Sequence, residues 1–183
     1  MRCFIALEFP PEVKSRIYSD LKKEMQEKPE LKWVTRDNLH LTLKFLGEIP
    51  ENQVEKLARE LESLKKEKKI EVKLGGLGSF LDHGSVRVLW IGIDRGNREI
   101  EKLAKKVENL TAKLGFPREK RPFVPHLTVA RARKHSKRRF RPTDFKTELN
   151  IPPFTVNELI LFKSTLTPEG PIYEKLKVIK LNG

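Results

Sequence analysis

His40-Leu41-Thr42 and His126-Leu127-Thr128 repeat one small chemical unit at two places in the chain. Around the first, Leu39, Leu41 and Leu43 alternate with polar residues, the two-residue period of a strand. Side chains two apart on a strand share a face, so each imidazole lies beside its threonine hydroxyl, with leucines on the opposite face. Pro125 to Ala130 shows the same alternation. The chain has only four histidines, so a matched pair of them is a strong signal. The other two, His83 and His135, lack this company and read as structural.

Two facing histidines suit paired acid–base catalysis. A neutral imidazole takes a proton from the incoming nucleophile, and a protonated one gives a proton to the departing oxygen. Both forms are accessible near neutrality. The hydroxyls of Thr42 and Thr128 would donate hydrogen bonds to phosphoryl oxygens as charge develops there. This chemistry fits in-line displacement at a phosphodiester without metal, and a ribose cyclic phosphate is apt because its strained ring expels oxygen easily. Other chemistries lack residues. Two imidazoles fall short of the three or four protein ligands of a zinc site. No serine sits in a nucleophile elbow, and no Walker-type glycine loop is present. No cofactor or metal is expected.

Composition narrows the partner. The net charge of +13 favours a polyanion, and nucleic acid is the commonest one. Abundant Lys and Glu with scarce Gln follow a thermophile trend, which explains many charges but not their imbalance. Residues 131–141 carry seven Arg or Lys in eleven with Phe140 among them, which reads as a flexible RNA-contacting loop or, more blandly, as solvated surface. No run is long enough to span a membrane, and Glu8, Pro10 and Pro11 cut short any signal-like N-terminus, so the chain reads as intracellular. Cys3 is the only cysteine, which excludes an internal disulfide.

The elements that must position these residues follow from periodicity. Arg2 to Phe9 is apolar on both faces, as a central strand is. Pro10-Pro11 starts a helix with Val13, Ile17, Leu21 and Met25 on one stripe, ending before Pro29. After the first motif strand come a helix beyond Pro50, a strand from Ile70 bent at Gly75 to Gly78, and a strand from Val86 to Ile93. A helix from Asn97 to Leu114 ends at Gly115, the second motif strand follows, and Thr155–Lys163 and Ile172–Leu181 close the chain. The motifs are 86 residues apart in a chain of 183 (126 minus 40), and each has its own helix and strands. The layout is that of a duplication: one bilobal domain over 1–183, with pseudo-repeat halves 1–94 and 95–183.

At this point the residues resemble a known family. Met1-Arg-Cys-Phe-Ile-Ala-Leu7, His40-Leu-Thr-Leu-Lys-Phe-Leu-Gly-Glu48, Pro125-His-Leu-Thr-Val-Ala-Arg131 and the ending Ser164-Thr-Leu-Thr-Pro-Glu-Gly-Pro-Ile-Tyr173 are together similar to the 2H phosphoesterases. The matching branch is the bacterial and archaeal RNA 2′,3′-cyclic phosphodiesterases, historically called 2′-5′ RNA ligases. The resemblance implies an α+β fold, bilobal and duplicated, with two antiparallel sheets and flanking helices around a central cleft. It implies His40 as proton donor to the leaving O3′, His126 as the base that activates water, and Thr42 and Thr128 on the phosphate. Arg131 joins the phosphate set only if its strand bulges, because strict alternation turns it away from His126. Phe45, Phe9 and Tyr173 read as core aromatics. The substrate would be RNA ended by a 2′,3′-cyclic phosphate, tRNA fragments being one source, and the product a 2′-phosphate. Attack by a 5′-hydroxyl in place of water would give a 2′-5′ bond. The expected protein is a cytoplasmic monomer; the alternative is a non-catalytic module of the same fold that grips RNA ends.

Overall fold

A computed structural model describes all residues from 1 to 183. Strand β1 (Arg2–Glu8) is apolar on both faces because both are covered. Cys3, Ile5 and Leu7 enter the main core, while Phe4 and Ala6 join Ile160 and Phe162 in a smaller cluster on the other side. Pro10 and Pro11 then open α1 (Pro11–Asp20), where proline's missing N–H costs nothing. The expected single helix is two, α1 and α2 (Lys22–Glu27), divided at Leu21. Bonds from the Leu21 amide to Ile17 and from the Met25 amide to Leu21 carry the spiral through the break.

The remaining elements are β2 (Lys32–Trp33), β3 (Leu41–Glu48), α3 (Glu51–Leu61), β4 (Ile70–Asp82), β5 (Ser85–Arg95), α4 (Asn97–Lys113), β6 (Leu127–Arg131), β7 (Phe154–Val156), β8 (Glu158–Thr167) and β9 (Gly170–Lys180). They form two antiparallel sheets flanked by helices, ordered β3-β1-β8-β9 and β2-β6-β5-β4-β7. This is the α+β architecture expected. Gly115, at φ 91°, ends α4 in the left-handed region. One apolar cluster joins Ile17, Leu57 and Ile100 of the helices to Leu41 of one sheet and Leu127 of the other.

One expected strand is two. Thr155 to Lys163 divides at Asn157, with β7 in the second sheet and β8 in the first. Asn157-Glu158 interrupts the apolar residues at that point, but two polar residues alone do not show that the chain changes sheets there. Each sheet draws strands from both 1–94 and 95–183. The repeating unit is a strand, one or more helices, and a motif strand that folds back antiparallel on the first: β1 to β3, then β5 to β6. No helix is long and apolar enough to cross a membrane.

His83 and His135 both lie outside the core. His83 (φ 49°) and Gly84 (φ 79°) form the exposed two-residue turn between β4 and β5, where both backbones must be left-handed. His135 is exposed within the basic segment.

Candidate active site

Each motif histidine stands one residue before its strand, His40 before β3 and His126 before β6. Thr42 lies opposite Ala6 of β1, and Thr128 opposite Trp90 of β5. Immediately after each threonine the register slips by one residue. Ile5 faces Lys44, leaving Leu43 unmatched; Leu89 faces Ala130, leaving Val129 unmatched. Such a bulge sends two consecutive side chains the same way and inverts the alternation beyond. Leu43 and Lys44 are both buried, as are Val129 and Ala130.

Two expectations turn on this. Arg131 lies opposite Val88, two residues from Trp90 on β5, so it shares the face of Thr128 and His126. The condition set for Arg131 is therefore met. Phe45 lies opposite Phe4, with ring centroids 6.1 Å apart, and is 60% exposed. Core packing was the wrong expectation for Phe45, because the count of two fails across Leu43. Phe9 is a core residue, packed edge-on against Phe154.

His40 sits in an aromatic enclosure. Its ring stacks on Phe4 at 5.0 Å and Phe162 at 5.2 Å, and Tyr173 of β9 meets it edge-on at 5.0 Å. Burial lowers the His40 pKa to about 3, and the Lys14 ammonium adds to the effect. Lys14 is itself buried, paired with Glu8, and donates to the Asp37 carbonyl three residues before His40. The Asn38 amide group donates to the Pro171 carbonyl at 2.9 Å, tying the approach to His40 onto the chain just before Tyr173. These supporting residues went unseen in the sequence. Phe4 and Phe162 look like ordinary alternating strand residues, and no local spacing links Lys14 to His40.

His126 is held differently. Its Nδ1 lies 2.7 Å from the Val124 carbonyl oxygen. A carbonyl can only accept, so Nδ1 carries the hydrogen, and in the neutral ring the lone pair is on Nε2. The ring packs edge-on against Phe80 at 5.1 Å and lies 6.2 Å from Trp90. The indole in turn lies over Gly78, where any Cβ would be 2.2 Å from the ring. Gly78 thus makes room for the tryptophan behind His126. Burial lowers the His126 pKa; the bond to Val124 opposes this, and the Arg131 charge adds to it.

The two faces converge. β3 of the first sheet adjoins β6 of the second. β2 pairs with β6, and the Val34 amide bonds the Val129 carbonyl, so the segment leading into His40 starts from the strand that His126 opens. Arg131 is close enough to act electrostatically on both His126 and Tyr173, whose pKa is raised chiefly by burial. No three His, Cys, Asp or Glu side chains cluster as metal ligands would.

The basic segment is partly committed. Phe140 is buried in the core, so it belongs neither to an RNA-contacting loop nor to solvated surface. Its carbonyl accepts from the Val86 amide, and Arg138 lies 4.6 Å over its ring while pairing with Glu30 at 2.9 Å.

Two antiparallel sheets, each offering a His-x-Thr strand to a shared face, define a 2H phosphoesterase. The sequence pattern of the 2′-5′ RNA ligase superfamily matches residues 9–167, and the chain belongs to that superfamily, in its RNA 2′,3′-cyclic phosphodiesterase family of enzymes. The RNA 2′,3′-cyclic phosphodiesterase of Aquifex aeolicus is 35% identical, covering 100% of this chain and 98% of that protein. That of Methanocaldococcus jannaschii is 36% identical, covering 97% and 99%. Among solved structures, TT0787 of Thermus thermophilus matches with a TM-score of 0.80 at 28% identity, covering 100% and 99%. E. coli LigT in its apo form matches with a TM-score of 0.78 at 26% identity, covering 100% and 98%, and LigT has also been solved with 3′-AMP.

Proposed function

We propose that this protein hydrolyses RNA 2′,3′-cyclic phosphate ends to 2′-phosphates through His40 and His126, with 2′-5′ ligation as a side reaction. The observation that carries the reading is the bond between His126 Nδ1 and the Val124 carbonyl, which leaves Nε2 as the free base of the neutral ring. His126 takes the proton of the attacking water, His40 protonates O3′ as it leaves, and Thr42, Thr128 and Arg131 hold the phosphoryl oxygens. A 5′-hydroxyl in place of water gives the 2′-5′ bond, and the abundance of water favours hydrolysis.

The low pKa of His40 bears on its role as acid. Burial keeps the His40 ring neutral, whereas the acid must be protonated. The bound phosphodiester brings a negative charge beside the ring, and a nearby opposite charge favours the imidazolium. Substrate and proton therefore enter together. The relatives' activity and the nucleotide bound by LigT support RNA ends as the substrate class, and the reading is of a cytoplasmic monomer. Turnover of an RNA carrying a 2′,3′-cyclic phosphate, assayed in EDTA with product linkages identified, tests it. Tight binding of the end without turnover would make the protein a non-catalytic end-binding module, and loss of turnover in EDTA would remove the two-histidine mechanism.

A further inference from the structure

Lys44 is buried to 3% exposure and takes no part in the chemistry above. Its Nζ donates to Glu108 of α4 at 2.8 Å and to the Pro117 carbonyl at 2.6 Å. Glu108 also accepts the Glu119 amide at 2.8 Å, and Arg118 donates to Asn109 at 2.9 Å. A buried cation and its partners thus hold the loop after α4 in one place. That loop and the end of β3 enclose an open groove of about 620 Å³, with Phe45 on one wall and Arg118, Lys120 and Arg121 on the other.

We infer that this groove receives the RNA chain upstream of the cyclic end, with a base on Phe45 and phosphates against Lys120 and Arg121. The inference rests on the phosphodiesterase reading. Three observations select single-stranded nucleic acid as the occupant. The groove is continuous with the candidate site: Phe45 faces Phe4, and Phe4 stacks on His40. A phenylalanine left 60% exposed beside three cations is the pairing of aromatic platform and positive charge that grips a single strand. Of the lining acids and bases, Glu119 stands alone against four cations, one of which, Lys44, is already neutralised by Glu108. Phe4 bridges the Phe45 and His40 rings at 6.1 and 5.0 Å, so Phe45 stands about one nucleotide from His40, while Lys120 and Arg121 lie on the opposite wall of the groove. A cyclic mononucleotide has only the phosphate held at the histidines, so only an oligonucleotide brings a further phosphate to Lys120 and Arg121.

The experiment compares kcat/KM for a cyclic mononucleotide and for a short RNA with a 2′,3′-cyclic end. It uses the native protein, Phe45→Ala, Phe45→Trp, and the double variant Lys120→Ala/Arg121→Ala. Phe45→Ala and the double variant should each lose about tenfold on RNA, and the double variant should keep mononucleotide turnover, which also shows that it folds; Phe45→Trp should retain RNA turnover. Unchanged RNA rates in either variant, or equal losses on both substrates in the double variant, overturn the inference. Should the native protein turn over neither substrate, the phosphodiesterase reading fails instead. Anisotropy of labelled RNA ended by a 2′-phosphate then decides the groove alone, by weaker binding of the same variants or by equal binding.

Discussion

Phe45 and Arg131 occupy equivalent places in the two motif strands. Each lies five residues after its histidine (45 minus 40, 131 minus 126), and each is turned to the histidine face by one unmatched residue, Leu43 or Val129. The duplicated unit thus extends past the threonine. In one copy its last position is an aromatic, in the other a guanidinium.

If Arg131 holds the phosphate, Arg131→Ala should lower kcat/KM on a cyclic mononucleotide about 10- to 100-fold, the worth of one charge-assisted hydrogen bond. Inhibition by inorganic phosphate should weaken in parallel. Arg131→Lys should recover part of the charge effect but not a forked contact. An Arg131→Ala enzyme with native phosphate inhibition would remove this residue from the site.

His40 gives two pH predictions. For the free enzyme, both histidines titrate below 6.5, so both are neutral above it, and the active form needs His40 protonated. kcat/KM should therefore fall about tenfold per pH unit above neutrality, while kcat, which reports the complex with its phosphate charge, should hold to higher pH. Stability follows the same shift. Between about 3 and 6.5 the unfolded chain binds a proton that folded His40 refuses, so its contribution is complete above 6.5 and is lost as pH falls toward 3. Melting temperatures of His40→Phe should be less sensitive to acid than those of the native protein; equal sensitivity would mean that the ring is not held neutral.

Much of this was legible in the sequence because the motifs are local. Alternation around His40 and His126 gave both strands and the shared face of each His-Thr pair. The bulges were not legible, since Leu43 and Val129 are ordinary strand residues and only the partner strand reveals that they are unmatched. Tyr173 reaches His40 from a distant strand, and Phe140 gave the opposite of its role because composition cannot tell an aromatic in a basic loop from one pinning that loop down.

Acting as one unit, the histidines should fail as one. His40→Ala and His126→Ala should each lose about 10²- to 10⁴-fold in turnover, and the double variant far less than the product of the two. Single-turnover measurement on one substrate batch checks this. Near-native turnover in either single variant contradicts the pairing.

Within residues 131–141 the exposed Lys137 and Arg139 differ from Arg138, which is held by Glu30 and Phe140. Lys137→Ala/Arg139→Ala should flatten the dependence of log affinity on log salt by roughly 0.7 per lost single-strand phosphate contact, without changing the melting temperature. Arg138→Ala should lower the melting temperature. An unaltered slope would return the segment to solvated surface.

Regiochemistry separates the two histidines' roles. In-line displacement puts nucleophile and leaving oxygen on opposite sides of phosphorus, so the acid stands beside the oxygen that departs. With His40 facing O3′, hydrolysis leaves the phosphate on O2′, and any joined product is 2′-5′ and resists nucleases that require 3′-5′ bonds. A bell-shaped pH profile cannot say which limb belongs to which imidazole, because coupled sites titrate as a pair. A substrate whose leaving group needs no proton can. It should rescue His40→Ala and leave His126→Ala inactive, since only the base is still required. The bond from His126 Nδ1 to Val124 points the same way, for it orients the free Nε2 without supplying a proton to give. A 3′-phosphate product, or rescue of His126→Ala in place of His40→Ala, would exchange the two roles.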